Sequence, residues 1–366
     1  MQRILILTEA DDFHAVAVAE ALQRKGGEVL LWATSDFPSR TDESVHYNGS
    51  GRKISITGSG LQLCDPCFDV VWRRRPAFVS DPESVLHPAD RAFAEGECGV
   101  FRRSFLHLIS PDAFWVNPIE GAARAGSKLL QHDAACRLGL QVPETLFSNS
   151  PTEIRTFLLR RGELVYKAFS PVGWKTSDRC WLPFTARLTE ESLVSDKILR
   201  LTPGIFQEVV PKLYELRVTV IGHRLFAARI FSQETERGKL DWRKSYDELR
   251  LEPATIPPLV ADQCFALLDE LGLVFGCFDF VVTPAGEHIF LEVNEMGQFL
   301  FVERYCALPL LDAFSEFLLQ GTGDFGWSED AVSVRYGDPE FEAAAMARSQ
   351  EFLRSHVKTP ETFTPE

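Results

Sequence analysis

The stretch "FLEVNEMGQFLF" (Phe290–Phe301) sets an acid, an amide and a second acid inside one of the most apolar runs of the chain. A carboxylate in such surroundings is costly without a partner, so Glu292 must face something. Upstream, "CFDFVVTPAGEHIFLEVN" (277–294) reads as two strands joined by the turn "TPAGE". Alternate strand residues share a face, so Glu292 and Asn294 point the same way, and the turn brings Asp279 alongside them. Three oxygen donors on one face between apolar walls suit Mg²⁺, above all where substrate phosphates complete its shell. The polar outer face of an amphipathic hairpin is the competing reading.

Two lysines upstream tip the balance. Lys167 interrupts the strand "ELVYKAFS" (163–170), and Lys128 lies in "AARAGSKLLQHDAACRLG" (122–139), a helix closed by Gly139. Either could be a solvated surface group. With the Gly- and Ser-containing loop "SPVGWKTS" (170–177), they describe a site for a triphosphate and its metal.

The composition is compatible with such an enzyme. At 366 residues the chain can form two or three domains, and its 45% apolar and 25% charged residues are ordinary for a globular protein. The net charge of −14 argues against a broad nucleic-acid surface. No apolar run reaches the length of a membrane span, and "MQRILILTEADDF" lacks the long apolar region of a signal peptide. The eight cysteines are scattered, and the C-x-x-C of Cys64 and Cys67 has no second pair, so reduced thiols in a cytoplasmic protein are expected.

The start of the chain reads as strand, helix, strand over 3–34, without a P-loop or a G-x-G-x-x-G. Short hairpin strands follow over 47–63, and "VVWRRRP" ends a strand in a basic cluster (73–75). That cluster is either a solvated cap or part of a groove for an anionic substrate. His14 is expected at a surface or interface, and the phenylalanines of 275–317 in the core. Helices are expected over 88–109, 259–272, 308–321 and 338–356. The last residues, "KTPETFTPE" (358–366), read as a disordered tail whose hydroxyls and acids could alternatively be self-modified.

Over roughly 115–320 these residues resemble an ATP-grasp ligase, in which two α/β subdomains grip ATP. The resemblance implies that Lys128 and Lys167 hold the phosphates. It makes "QEVV" (207–210) the hinge at adenine, with Gln207, Glu208 and Val210 binding the nucleotide. Glu215 would be the ribose acid, and Asp279, Glu292 and Asn294 would bind Mg²⁺, as two ions. The loop 170–177 would be the lid. Arg217 shares a strand face with Glu215, and the resemblance gives it the transferring phosphoryl group or the acyl phosphate; a structural salt bridge is its other reading. Arg243 in "KLDWR" (239–243) is a second catalytic candidate; binding the substrate and capping a hairpin are its other roles.

The segments "VVWRRRP", "WVNPIEGAARAGSKLLQHDAACRLGLQVPETLFSNSP", "KLDWR" and "FLEVNEMGQFLF" are similar to the microviridin-type (graspetide) peptide maturases. The likeness extends over nearly all of 1–320. Those enzymes use ATP to join Asp or Glu side chains to Thr/Ser hydroxyls or Lys amines of a ribosomal precursor peptide, through an acyl phosphate. Where that family usually has proline and asparagine between "VN" and "GQ", this chain has Glu295 and Met296. The implied class is α/β (α+β): a pre-ATP-grasp α/β domain (1–118), a central ATP-grasp subdomain (119–203), a C-terminal subdomain (204–321) and an acidic, partly helical extension (322–366). The implied partner is a precursor peptide with an acidic, Thr/Ser- or Lys-containing core, without nucleic acid or membrane; a homodimer is compatible with it. An ATP-grasp ligase acting on an amino acid or small acid is the nearest alternative, and a non-catalytic ATP-sensing or leader-binding module the one from another class.

Overall fold

The run Ile4–Leu7 is fully buried, as apolar side chains on both faces of a strand require. It forms β1 (Arg3–Thr8), followed by α1 (Phe13–Arg24) and β2 (Glu28–Ala33). An antiparallel meander, β3 (Thr41–Asn48), β4 (Gly51–Gly58) and β5 (Leu61–Cys64), comes next. It begins six residues before the expected start at 47, because its first strand is polar and exposed along much of its length. Then come β6 (Val70–Arg73), α2 (Pro88–Leu106) and β7 (Phe114–Val116). The order β2-β1-β6-β7 is an all-parallel sheet. The computed structural model describes residues 2–76, 87–169, 174–175, 180–181 and 185–358. The expected lid loop, apart from Trp174–Lys175, and the tail from Thr359 lie outside them.

The next segment begins with α3 (Ile119–Gly126) and α4 (Lys128–Arg137). This is a correction: the single helix expected over 122–139 is broken at Ser127, whose hydroxyl accepts the N–H of Leu130. Lys128 is thereby moved to the first turn of a new helix. A four-stranded sheet in the order β12-β9-β13-β8 follows, from β8 (Thr145–Ser148), β9 (Leu164–Lys167), β12 (Ala186–Leu188) and β13 (Gly204–Glu208). Helix α5 (Pro151–Arg161) lies between β8 and β9; the short pair β10 (Trp174–Lys175) and β11 (Cys180–Trp181) precedes β12, and α6 (Asp196–Leu201) follows it. The second sheet runs β16-β15-β14-β17-β18, from β14 (Tyr214–Ile221), β15 (Arg224–Ile230), β16 (Leu251–Ala254), β17 (Phe275–Val282) and β18 (His288–Asn294). Helix α7 (Pro258–Leu271) leads into β17 and packs its leucines on this sheet's core.

The chain ends in α8 (Leu300–Cys306), α9 (Leu310–Gln320) and α10 (Pro339–Ser355). By contacts its described residues divide into two units: those of 1–119 with 221–223 and 298–358, and those of 120–220 with 224–297. Helices α8 and α9, expected in the C-terminal ATP-grasp subdomain, thus belong with the N-terminal sheet. So does the acidic extension. Asp312 in α9 accepts from the backbone of Ser333 and Val334 and from the Trp327 indole, and pairs with Lys25 at 2.7 Å. Glu303 accepts from the backbone of Leu311 and Tyr336, while Asp36 holds His356 and the backbone of Val357. Each carboxylate gathers several donors, which makes its burial tolerable.

Two expectations for the first unit change. His14 is buried, with its ring against Trp72 and Phe299, because α1 buries eight of its twelve residues, His14–Ala19 among them. Arg74 of the basic cluster is fully buried and pairs with Asp12 at 3.2 Å, so it is neither a solvated cap nor open to an anion; Arg75 pairs with Glu9 at the surface. The expected phenylalanine core is present: Phe275, Phe278, Phe280, Phe290, Phe299, Phe314 and Phe317 are all buried. Among the described residues no helix is long and apolar enough to cross a membrane.

The turn between β14 and β15 is held closely through its backbone. His223 donates its N–H to the carbonyl of Gly323, and Gly222 sits at φ +52° with no room for a side chain: a Cβ would stand 2.1 Å from that carbonyl oxygen. Gly222→Ala should therefore lose about 2 kcal/mol in urea unfolding, whereas Gly26→Ala, at φ +83° but with open space around it, should lose about 1 kcal/mol. Equal losses would contradict the close approach.

Candidate active site

The hairpin β17–β18 sets the site's geometry. Asp279 stands directly across from Glu292, and Cys277 across from Asn294. The register slips between Asp279 and Phe280, a bulge of the kind that re-aims side chains. On the opposite face Phe278 and Val293 enter the core. Two carboxylates facing each other across a ladder repel, so this arrangement needs cations nearby.

They come from two elements. Arg217, two residues after Glu215 on β14, donates from Nη1 to both Asp279 oxygens, at 2.9 and 2.8 Å. Lys128, at the start of α4, donates from Nζ to Glu292 Oε2 at 2.5 Å. Burial pushes the Asp279 carboxyl up; Arg217 opposes this, and Glu292 adds to the rise. Burial acts on Glu292 in the same sense, but Lys128 and Lys167 outweigh it and hold its carboxyl well below the usual range. Lys167, at the end of β9, is pushed down by burial, with Glu292 opposing. Arg243 is held by Asp241 through Nε at 2.8 Å and Nη2 at 2.5 Å, and its charge also acts on Asp279 and Glu292. Gly297 packs against Cys277 and Arg217; a Cβ there would meet Cys277 Sγ at 2.5 Å.

A cleft of about 430 Å³, counting the space open to solvent at its mouth, lies beside these acids. Lys128, Lys167, Gln207 and Glu292 line it, so four residues singled out in the sequence meet at one cavity. Its walls add Phe147, Ile205 and Phe290, with His132 edge-on to Phe147 at 5.4 Å. Glu208, Val210, Glu215, Arg217, Arg243, Asp279 and Asn294 do not line this cleft. The Glu208 carboxylate turns to Arg161 at 3.1 Å and to the backbone N–H of Glu144. Val210 lies just past β13, beyond its ladder. Glu215 is buried and held by Lys212 at 3.0 Å; Lys212 also donates to the Leu240 carbonyl at 2.9 Å. Asn294 is exposed, and its Oδ1 accepts the Met296 N–H at 3.0 Å.

The donor set suits a hard cation. Asp279, Glu292 and Asn294 offer only oxygen atoms, the preference of Mg²⁺. Among the described residues no three His, Cys, Asp or Glu side chains converge as a metal site, so a protein-only cage is not built here. Mg²⁺ ordinarily takes one or two carboxylates plus phosphate and water, which matches this two-acid set. The exposed Cys64 and Cys67 belong to no such cluster.

The family model described as the MvdD pre-ATP-grasp domain matches residues 3–123. No curated protein matches the chain. Among solved structures, it is similar to a Chryseobacterium gregarium RiPP-associated ATP-grasp ligase in complex with ADP and a leader and core peptide. The two share 26% identity with a TM-score of 0.78, over 87% of this chain and 97% of that one. It is also similar to the macrocyclase MdnC from Microcystis aeruginosa MRC, bound with the precursor peptide MdnA: 27% identity, TM-score 0.76, 87% and 100% covered. The macrocyclase MdnB from the same organism shares 29% identity with a TM-score of 0.72, over 87% and 99%. By these likenesses the chain is an ATP-dependent ligase of ATP-grasp fold, similar to the microviridin-type (graspetide) maturases. In this ligase the α/β (α+β) class and the pre-ATP-grasp domain are as the sequence indicated.

Sequence reasoning missed the cleft's walls. Phe147, Phe290 and Ile205 read as ordinary strand residues, and nothing in their spacing tells which face lines a cavity. Lys212 was hidden for the same reason, although its place three residues before Glu215 could have signalled an ion pair.

Removing Arg217 should expose the energetics of the acid pair. In Arg217→Met, Asp279 keeps its burial and loses its main compensating charge. The expected loss is about 3 kcal/mol in urea unfolding at pH 8. A carboxyl whose folded pKa lies above its unfolded value favours the native state less as pH rises. The loss should therefore shrink as the pH is lowered from 8 to 5, since a raised pKa favours proton uptake by Asp279. An equal loss at both pH values would contradict a buried, unpaired carboxylate.

Proposed function

We propose that this ligase uses Mg²⁺–ATP to activate side-chain carboxylates of a ribosomal precursor peptide and joins them to Thr/Ser hydroxyls or Lys amines of the same peptide. The observation that carries the reading is the set of opposed carboxylates, each matched to its own cation, beside a cleft walled by aromatic residues and two lysines. Similarity to enzymes solved with leader, core or precursor peptides supports the peptide as substrate.

In this reading Lys128 and Lys167 hold phosphate, the backbone around Gln207, Glu208 and Val210 meets the base, and Glu215 meets the ribose. Asp279, Glu292 and Asn294 would hold Mg²⁺. Bound there, the metal supplies charge neutralisation across the phosphates. A cation held there would relieve Lys128 of neutralising Glu292 and leave it to face phosphate in the cleft it lines. The substrate carboxylate takes the γ-phosphoryl group, giving an acyl phosphate and ADP. A hydroxyl or amine then attacks the acyl carbon, loses its proton and expels phosphate, leaving an ester or amide. Arg217 and Arg243 stabilise the charge on the transferring group, which is positioning and electrostatics rather than covalent chemistry. The same reading covers a peptide core rich in acids, cytoplasmic residence and a homodimer.

Incubation with Mg²⁺–ATP and the peptide encoded beside the gene should remove about 18 Da per bond formed, one water, with stoichiometric ADP. Glu292→Gln and Asp279→Asn should abolish ADP formation with unchanged circular dichroism, and Lys167→Ala should weaken nucleotide binding in calorimetry. Full ATP turnover in either carboxamide variant would refute the metal assignment; unchanged binding in Lys167→Ala would refute the phosphate role.

A further inference from the structure

Helix α4 is fastened to the edge of β18 by one side chain that none of the roles above uses. Gln131 is 2% exposed and lies three residues after Lys128, one helical turn on. Its Oε1 accepts the backbone N–H of Val293 at 3.1 Å, and its Nε2 donates to the Val293 carbonyl at 2.8 Å. The same Nε2 also donates to the carbonyl of Ala125, near the end of α3. Val293 is the residue between Glu292 and Asn294, and β18 is the last strand of its sheet. The amide of Gln131 thus takes the place of a neighbouring strand at the one residue flanked by both oxygen donors. One turn back along α4, Lys128 reaches Glu292. A second tie lies past the helix, where the Gln141 carbonyl accepts the N–H of Phe290.

We infer that Gln131 is a positioning residue: it sets the register between the helix that carries Lys128 and the strand that carries Glu292 and Asn294, and so fixes lysine against carboxylate before nucleotide arrives. The inference rests on the ATP-site reading above. The physical reason is the directionality of a buried amide. Only a group that both donates and accepts can satisfy the N–H and C=O of Val293 together, and an unsatisfied buried partner is costly.

Gln131→Glu tests this, because its donor capacity depends on pH. A protonated carboxyl can accept from Val293 N–H and donate to a carbonyl; an ionised one only accepts, and it would face the carbonyls of Ala125 and Val293. Burial raises the pKa of such a carboxyl into the accessible range. The KM for ATP in Gln131→Glu should lie close to wild type at pH 6 and rise about tenfold relative to wild type at pH 8.5, the cost of one unsatisfied buried group. Gln131→Met, which neither donates nor accepts, should show the higher KM at both pH values, together with faster hydrogen exchange at the Val293 amide. The exchange readout needs no nucleotide. Wild-type protein that fails to bind Mg²⁺–ATP would refute the nucleotide site itself. Wild type that binds, with Gln131→Glu matching it at both pH values or Gln131→Met leaving KM and Val293 exchange unchanged, would overturn the role of Gln131. If Gln131→Glu does not fold, the Gln131→Met pair of measurements decides alone.

Discussion

Two carboxylates set opposite one another on adjacent strands are the constraint around which the second unit is organised. Left alone, Asp279 and Glu292 would repel across the β17–β18 ladder in a partly desolvated place. The fold answers each with its own cation from a different element, Arg217 from β14 and Lys128 from α4. These pairs differ in kind. Arg217 is 5% exposed and sits between Cys277, Gly297 and Asp279, so it behaves as part of the sheet. Lys128 stands at a helix start and reaches across to a more exposed carboxylate. A pair of the first kind is costly to break, because it leaves a buried charge behind; one of the second kind can be exchanged for another ion more cheaply.

The surrounding charges extend this logic. Lys167 is destabilised as a cation by its burial, and Glu292 offsets only part of that cost. A further anion in the cleft would restore the balance, which is a physical reason for phosphate to be welcome there. Arg243 is held in place by Asp241 and acts on the acids through its field. The chain carries a net charge of −14, yet this one locality is rich in cations. Local arrangement, not the total, decides what an enzyme attracts.

Much of this was legible in the amino-acid sequence, and the limits have physical causes. Period-two alternation put Glu292 and Asn294 on one face, and the "TPAGE" turn brought Asp279 beside them, because register in a short hairpin is a local property. The buried strand Ile4–Leu7 and the helix after it were equally plain. The break at Ser127 was not: Gly126 and Ser127 fit a helix interior in a pattern reading, and only the Ser127 cap reveals a second start. His14 looked polar in a helix whose buried face extends almost all round. The cluster 73–75 read as a solvated cap or part of an anion groove, and its Arg74 is instead claimed by Asp12, 62 positions away. The return of 298–358 to the N-terminal unit depends on Glu303, Asp312 and Asp36 collecting backbone donors from distant segments, which no local pattern encodes.

The central claim is that the oxygens of the β17–β18 hairpin hold a divalent ion for a nucleotide. It is tested most directly by crystals grown with ADP and Mn²⁺, with anomalous scattering locating the metal. The account predicts anomalous density bridging the nucleotide phosphates and the side chains of Asp279, Glu292 and Asn294. Nucleotide and metal bound elsewhere, with those side chains still paired to Arg217 and Lys128, would contradict it.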